Sequence, residues 1–126
     1  MSGERILLIE DEKDISLLVA SRLSDSGYKV FIAEDGGPAL TQVEEILPDL
    51  ILLDLWLPSL SGEEICKAIR ENADEKISKI PIVILSAKKS EADQIVGRMI
   101  GANCYLPKPV DADQLLVQIR QLLEKK

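Results

Sequence analysis

The chain has 126 residues and contains no histidine. This absence excludes Ser–His and Cys–His catalytic pairs and any zinc site held by histidine. Only two cysteines occur, Cys66 and Cys104, and their separation does not match the spacing of paired metal ligands. We therefore expect both cysteines to be reduced and buried, as in a cytoplasmic protein. Any chemistry must then use carboxylate, hydroxyl and ammonium groups.

Basic residues are outnumbered by acidic ones, 15 to 22, and long apolar runs are also lacking. The formal net charge is −7, and direct nucleic-acid binding, which needs a basic surface, is not expected. No apolar run approaches the roughly 20 residues that cross a bilayer. The N-terminus also lacks the basic-then-apolar layout of a secretion signal. These absences lead us to expect a cytoplasmic protein that does not insert into membranes.

What the chain does contain is a regular alternation of short apolar runs and amphipathic segments of helix length. This alternation is typical of βαβ units around a parallel sheet. We predict one α/β domain over residues 1–126, with its core at about 5–124. Strands are predicted near 5–10, 28–33, 50–54, 81–85 and 103–106. Helices are predicted near 13–26, from 38, from 61, and near 90–100 and 111–124.

Polar residues follow four of the apolar runs. Glu10 and Asp11 follow the first strand, Asp54 ends the third, Ser86 follows the fourth, and Lys108 follows the fifth. The carboxyl ends of parallel strands meet at one edge of a sheet, where ligands bind. Converging carboxylates repel one another, and a hard cation such as Mg²⁺ would relieve that repulsion. With a hydroxyl and an ammonium nearby, such a site suits a phosphoryl group held on a carboxylate.

Each of these residues also has an ordinary structural explanation. Acids at 10–12 would suit a helix N-terminus, and Asp54 could be a turn aspartate. Ser86 could cap a helix or lie in a turn, and Lys108 could be a solvated loop lysine. The occurrence of all of them at strand ends favours a shared site. No glycine-rich phosphate loop is present, so the phosphoryl donor is not expected to be a bound nucleotide.

Four motifs resemble one known family. They are the Glu10-Asp11 pair, the stretch DLWLPSLSG that begins at Asp54, Ser86-Ala87, and YLPKP from Tyr105. With them, the chain resembles a receiver domain of two-component response regulators, in particular the single-domain chemotaxis type, over nearly its whole length. The resemblance implies a doubly wound, flavodoxin-like (βα)5 fold with a five-stranded parallel sheet of order 2-1-3-4-5.

The resemblance also implies roles for the site residues. Asp54 would accept a phosphoryl group from a phosphohistidine of a histidine kinase or histidine phosphotransfer protein. Glu10, Asp11 and Asp54 would hold Mg²⁺ together with the backbone carbonyl of Trp56. Ser86 and Lys108 would contact the phosphoryl oxygens.

A conformational switch is implied as well. Ser86 and Tyr105 would move together, and the surface of the fourth helix, fifth strand and fifth helix would be recognised by a downstream protein. The Lys108–Pro109 bond would be cis. Trp56 and Lys88 depart from the commonest family pattern, so the lifetime of the phosphorylated state is not implied.

Two other functions are compatible with the same residues. A Mg²⁺-dependent phosphohydrolase with an aspartyl nucleophile commonly needs a second acid two residues later, and this chain has Trp56 there. A phosphate-independent interaction module would not need the acids and Lys108. We therefore expect a switch that turns over no external substrate. The end of the last predicted helix at 124–126, without a linker, mildly favours a free-standing protein.

Overall fold

The sheet has the strand order that the resemblance implied. A computed structural model describes residues 3–54, 61–86, 101–108 and 110–124, and in them five parallel strands run in the order β2-β1-β3-β4-β5. The strands are β1 Arg5–Ile9, β2 Lys29–Ala33, β3 Leu50–Asp54, β4 Ile82–Ser86 and β5 Cys104–Pro107. The helices are α1 Lys13–Asp25, α2 Gly36–Ile46, α3 Gly62–Arg70, the short α4 Glu75–Ser78, and α5 Ala112–Glu124.

The three central strands carry the core. Almost every residue of β1, β3 and β4 is apolar and buried, as expected for a parallel sheet covered on both faces. Because side chains alternate across a strand, each strand contributes to two apolar layers. One layer packs against α2 and α3, and the other packs against α1 and α5. The sheet is thereby held rigid beneath the residues at its carboxyl edge.

The edge strands are less enclosed. Most of β2 is half-buried. In β5, Tyr105 and Leu106 are buried while Cys104 is half-buried. The prediction that both cysteines are buried is therefore wrong for Cys104, because it lies on a strand with one neighbour. Neither cysteine forms a disulfide.

Two helices differ from the prediction. Helix α2 begins two residues before Pro38, because the Asp35 side chain accepts a 2.6 Å hydrogen bond from the Gly36 amide and caps the helix there. Helix α4 was not predicted, since four residues are too few for a helical apolar pattern. Asp74 caps it by accepting from the Lys76 amide at 2.9 Å. The predicted helix near 90–100 lies outside the described residues.

Two helix ends match the prediction. Gly27 follows α1 with a φ of +98°, a conformation that favours glycine after a helix. Ser61 caps α3 by accepting from the Glu64 amide at 3.2 Å. Among the residues that the structure describes, no helix has the length and apolar character needed to cross a bilayer.

Candidate functional site

The carboxyl ends of the strands gather the predicted polar residues. The register pairs Asp54 with Leu85 and Ser86 with Pro107, so the ends of β3, β4 and β5 share one edge. Glu10 joins them because its amide donates to the carbonyl of Ala33 and extends the pairing of β1 with β2. Residues far apart in the chain therefore lie together at the edge where ligands bind in such sheets.

Lys108 is at the centre of this site. Its ammonium nitrogen lies 2.8 Å from Glu10 Oε1, 3.4 Å from Asp54 Oδ2 and 3.8 Å from Glu12 Oε1. The side chains of Glu10 and Asp54 are 0% and 3% exposed, and that of Lys108 is 13% exposed. The Lys108 amide also donates to the carbonyl of Ser86 at 2.7 Å. One lysine thus connects β1, β3 and β4 and carries the positive charge that the buried carboxylates need.

Burial and charge shift two pKa values in this cluster. Burial raises the pKa of Glu10, and the Asp54 carboxylate adds to that rise, while the contacts with Lys108 and the Glu12 amide oppose it. Burial lowers the pKa of Lys108, but the hydrogen bond to Glu10 and the charges of Asp54 and Glu10 outweigh it, leaving the pKa raised. Lys108 is therefore a fixed cation rather than a proton donor at neutral pH.

A group of three acids stands beside this lysine. Carboxylate oxygens of Glu10, Asp11 and Glu12 all lie within 4.8 Å of one another. Among the described residues, Asp54 does not join a group of that spacing; Lys108 lies against both Asp54 and Glu10. The structure therefore brings Glu10 and Asp11 together as predicted. Glu12, which was expected only as an acid at a helix N-terminus, lies with them. The sequence feature that could have indicated this role for Glu12 is its position directly after the predicted Glu10-Asp11 pair.

The residues of the predicted switch are enclosed. Ser86 is 0% exposed and Tyr105 is 8% exposed. Tyr105 pairs with Ile84 in the sheet and belongs to the apolar layer that packs against α3. Trp56, with its predicted metal-binding carbonyl, lies outside the described residues, as do Lys88 and Pro109.

An apolar cleft opens beside the site. It lies between α1 and α5, has a volume of about 160 Å³, and includes Lys108 in its lining. Leu17 and Leu18 on α1 are 63% and 65% exposed. Large exposed leucines next to a cleft are typical of surfaces that contact another protein.

The chain belongs to the response regulator receiver domain family, because the model of that family matches residues 6–120. It is 39% identical over 121 residues to the response regulator ArlR of Staphylococcus saprophyticus, covering 96% of this chain and 53% of that protein. It is 38% identical over 123 residues to the alkaline phosphatase synthesis transcriptional regulatory protein PhoP of Bacillus subtilis, covering 98% of this chain and 50% of that protein. The chain thus spans about half the length of these curated relatives.

Solved structures agree with this assignment. The chemotaxis protein CheY4 of Vibrio cholerae is 29% identical with a TM-score of 0.88, and the match covers 96% of this chain and 99% of CheY4. The receiver domain of the Francisella response regulator 1452 is 28% identical with a TM-score of 0.90, covering 98% of each chain. The fold is therefore the flavodoxin-like fold of receiver domains.

Proposed function

We propose that this chain is a phosphorylation-controlled switch and that Asp54 is its phosphoacceptor. The observation that carries the proposal is the position of Asp54. Its carboxylate is buried at the carboxyl edge of the sheet, 3.4 Å from the Lys108 ammonium, in a chain of the receiver family. A carboxylate beside a fixed cation is suited to accept a phosphoryl group, because phosphoryl transfer depends on positioning and charge neutralisation.

The chemistry is a transfer between two proteins. An oxygen of Asp54 attacks the phosphorus of a phosphohistidine, a P–O bond forms and the P–N bond breaks, and the electron pair returns to the imidazole nitrogen. The donor is a histidine kinase or a histidine phosphotransfer protein, since this chain has no histidine of its own. Lys108 exchanges a carboxylate oxygen for a phosphoryl oxygen, and the Ser86 hydroxyl donates to another.

The acids fit a magnesium ion. Glu10, Asp11 and Asp54, with the backbone carbonyl of Trp56, are the proposed ligand set, and Glu12 stands within the same group of carboxylates. Carboxylate and carbonyl oxygens are the ligands that Mg²⁺ prefers. When bound, Mg²⁺ would supply positive charge beside the phosphoryl oxygens. The carboxylates outnumber the single ammonium of Lys108, so the site favours a cation on charge alone.

The surface beside Lys108 is a suitable place for the donor to dock. Leu17 and Leu18 are exposed on α1, and the apolar cleft between α1 and α5 reaches Lys108. A partner that covers these side chains would bury apolar area while bringing its phosphohistidine to the edge of the sheet.

The output is proposed to be a change of surface. Phosphorylation draws Ser86 toward the phosphoryl group, Tyr105 moves with it, and the region formed by β5, α5 and the predicted helix at 90–100 changes shape. A downstream protein rather than nucleic acid reads that surface, given the net charge of −7. We place this switch in the cytoplasm and expect it to turn over no external substrate.

Intact mass spectrometry tests the proposal. With acetyl phosphate and Mg²⁺, the wild type should gain the mass of one phosphoryl group per chain. Asp54→Asn should gain none, because an amide does not accept the group. Asp25→Asn is the matched control, since Asp25 is an exposed aspartate at the end of α1, and it should behave like the wild type.

Two results would contradict the proposal. Labelling of Asp54→Asn at the wild-type rate would place the acceptor elsewhere. Release of many phosphate ions per chain from the donor, without accumulation of a phosphorylated form, would favour the phosphohydrolase instead.

A further inference from the structure

One arginine joins several segments at the edge of the sheet opposite the candidate site. Arg70 is the last residue of α3. Its Nε donates to the Gly101 carbonyl at 2.8 Å, and its Nη1 donates to the carbonyls of Ser78 and Ile80 at 2.9 and 2.7 Å. Ser78 is the last residue of α4, Ile80 lies just before β4, and Gly101 lies just before β5. Arg70 therefore connects α3 to the entrances of both strands.

Asn103 extends this network into the sheet. Arg70 Nη2 donates to Asn103 Oδ1 at 2.8 Å, and the same oxygen accepts from the Ile82 amide at 2.9 Å. The Asn103 amide donates in turn to the Ile82 carbonyl at 2.8 Å. The residue before β5 is thus bonded twice to the first residue of β4, and Arg70 holds it there.

Gly101 is shaped to admit this arginine. Its φ is +102°, and a Cβ at this position would lie 2.8 Å from the Arg70 Cγ. Only glycine adopts this positive φ and leaves room for the Arg70 side chain without strain. The four acceptors that Arg70 has among the described residues are neutral oxygens, and burial lowers the pKa of its guanidinium. The planar fork of donors therefore acts through geometry rather than through an ion pair.

Strand β5 lies between this network and the candidate phosphorylation site. Its first residue follows Asn103, and its last precedes Lys108. Among the described strands it pairs with β4 alone, so its two ends decide its position. One end is fixed by Arg70 through neutral hydrogen bonds, and the other is held by Lys108 through carboxylates. Tyr105 lies between the two ends.

We infer that Arg70 is a positioning residue that fixes the start of β5, so that phosphorylation at Asp54 tilts the strand about Asn103 instead of shifting it. This inference rests on the proposed function. At Lys108, one anionic oxygen replaces another when a phosphoryl group arrives, so that end can rearrange. At the start of β5, movement would break two hydrogen bonds from Arg70, to Gly101 and Asn103, together with the two between Asn103 and Ile82. The displacement is therefore concentrated at Tyr105 and at the residues that follow it.

Amide hydrogen exchange, read residue by residue by NMR, tests this inference. It is measured on the full chain with Mg²⁺, with and without acetyl phosphate. In the wild type, phosphorylation should change the exchange of Tyr105 and Leu106 and leave that of Ile82 and Asn103 within about twofold. In Arg70→Met, phosphorylation should speed the exchange of Ile82 and Asn103 by about tenfold or more, because the start of the strand is no longer held.

Three further variants separate positioning from general stability. Asn103→Ala removes the acceptor of the Ile82 amide, so this variant is compared at the amide of residue 103, where phosphorylation should speed exchange as in Arg70→Met. Because Asn103 is exposed, this change leaves no cavity. Asn103→Asp keeps an acceptor for both donors and should behave like the wild type. Lys79→Met removes a nearby exposed cation whose pair with Glu75 measures 3.6 Å, and it should also behave like the wild type.

The outcomes distinguish the inference from the proposed function. If phosphorylation leaves Ile82 and Asn103 equally protected in the wild type and Arg70→Met, and leaves the amide of residue 103 equally protected in Asn103→Ala, Arg70 does not position the strand. If it speeds their exchange in the wild type as well, the start of β5 is not fixed. Both results overturn the inference alone. A wild type that takes no phosphoryl group at Asp54 overturns both.

Discussion

A partly buried cation lies at each of the two edges of the sheet in the described part of the chain, and these two cations have opposite surroundings. Lys108 at the carboxyl edge is held by carboxylates at 2.8 and 3.4 Å. Arg70 at the amino edge is held by neutral oxygens at 2.7 to 2.9 Å. A cation among anions can exchange one for another when a charged ligand arrives, whereas a cation that satisfies backbone carbonyls has no substitute partner. The first arrangement suits chemistry, and the second suits anchoring.

The largest expected effect comes from removing the first cation. Lys108→Met should slow phosphorylation of Asp54 by acetyl phosphate by about 100-fold, the usual loss when one charged or hydrogen-bonding contact to a transition state is deleted. The rate is measured by intact mass against time. Lys79→Met, which removes an exposed lysine, is the control. A phosphorylation rate in Lys108→Met within a few-fold of the control would show that the ion pairs of Lys108 have only a structural role.

Removing the second cation should have the converse effect. Arg70→Met loses four hydrogen bonds and leaves carbonyls unsatisfied, so the free energy of unfolding should fall by about 3 kcal/mol. Phosphorylation should stay within about threefold of the wild type, since Arg70 lies at the far edge. Urea unfolding gives the stability. Arg22→Met is the control, because its exposed pair with Asp113 should contribute less than about 1 kcal/mol. Equal losses of unfolding free energy in Arg70→Met and Arg22→Met would show that Arg70 does not anchor the amino edge.

The pKa of Lys108 makes a prediction about alkaline pH. Because the folded-state pKa is raised above the ordinary value of 10.5, its stabilisation is fully present below that value and is lost as pH rises through the raised pKa. Buried Cys66, whose pKa is raised from 9.0, also lowers stability with rising pH, but equally in wild type and Lys108→Met. The difference in unfolding free energy between these two proteins should therefore shrink above about pH 10.5. A constant difference up to about pH 12 would contradict the ion-pair description.

The smallest expected effect concerns Glu12. Its side chain is 62% exposed, so solvent screens its charge, and Glu12→Gln should weaken Mg²⁺ binding by only about two- to threefold. The fluorescence of the single tryptophan provides the titration, and Glu44→Gln, at an exposed glutamate on α2, is the control. A loss of affinity of about tenfold or more would instead make Glu12 a direct ligand.

Much of the carboxyl edge could be predicted from the sequence. Uninterrupted apolar runs identify buried strands, and a polar residue at the end of such a run is expected at the carboxyl edge of the sheet. Asp54 and Lys108 were therefore expected to meet, and they do. The strand order could not be predicted in this way, because βα alternation indicates the class of fold but not the order of its strands. That prediction came from the family resemblance and is confirmed.

The amino edge could not be predicted in the same way. Arg70 bonds to residues 31 and 33 positions later, and most of its acceptors are backbone carbonyls, which every residue has. No spacing or residue type marks such a partner in advance. The half-buried Cys104 was missed for a related reason, since its exposure depends on tertiary neighbours. Helix α4 was missed because four residues are too few to show a helical apolar pattern.

Chemical mapping of the phosphoryl group tests the central claim most directly. After treatment with acetyl phosphate and Mg²⁺, borohydride reduces an acyl phosphate to an alcohol and so converts a phosphorylated aspartate to homoserine. Peptide mass spectrometry then locates the changed residue. The account predicts homoserine at position 54, and none in a sample that received no phosphodonor. Homoserine at Asp11 or another aspartate, with residue 54 unchanged, would contradict it.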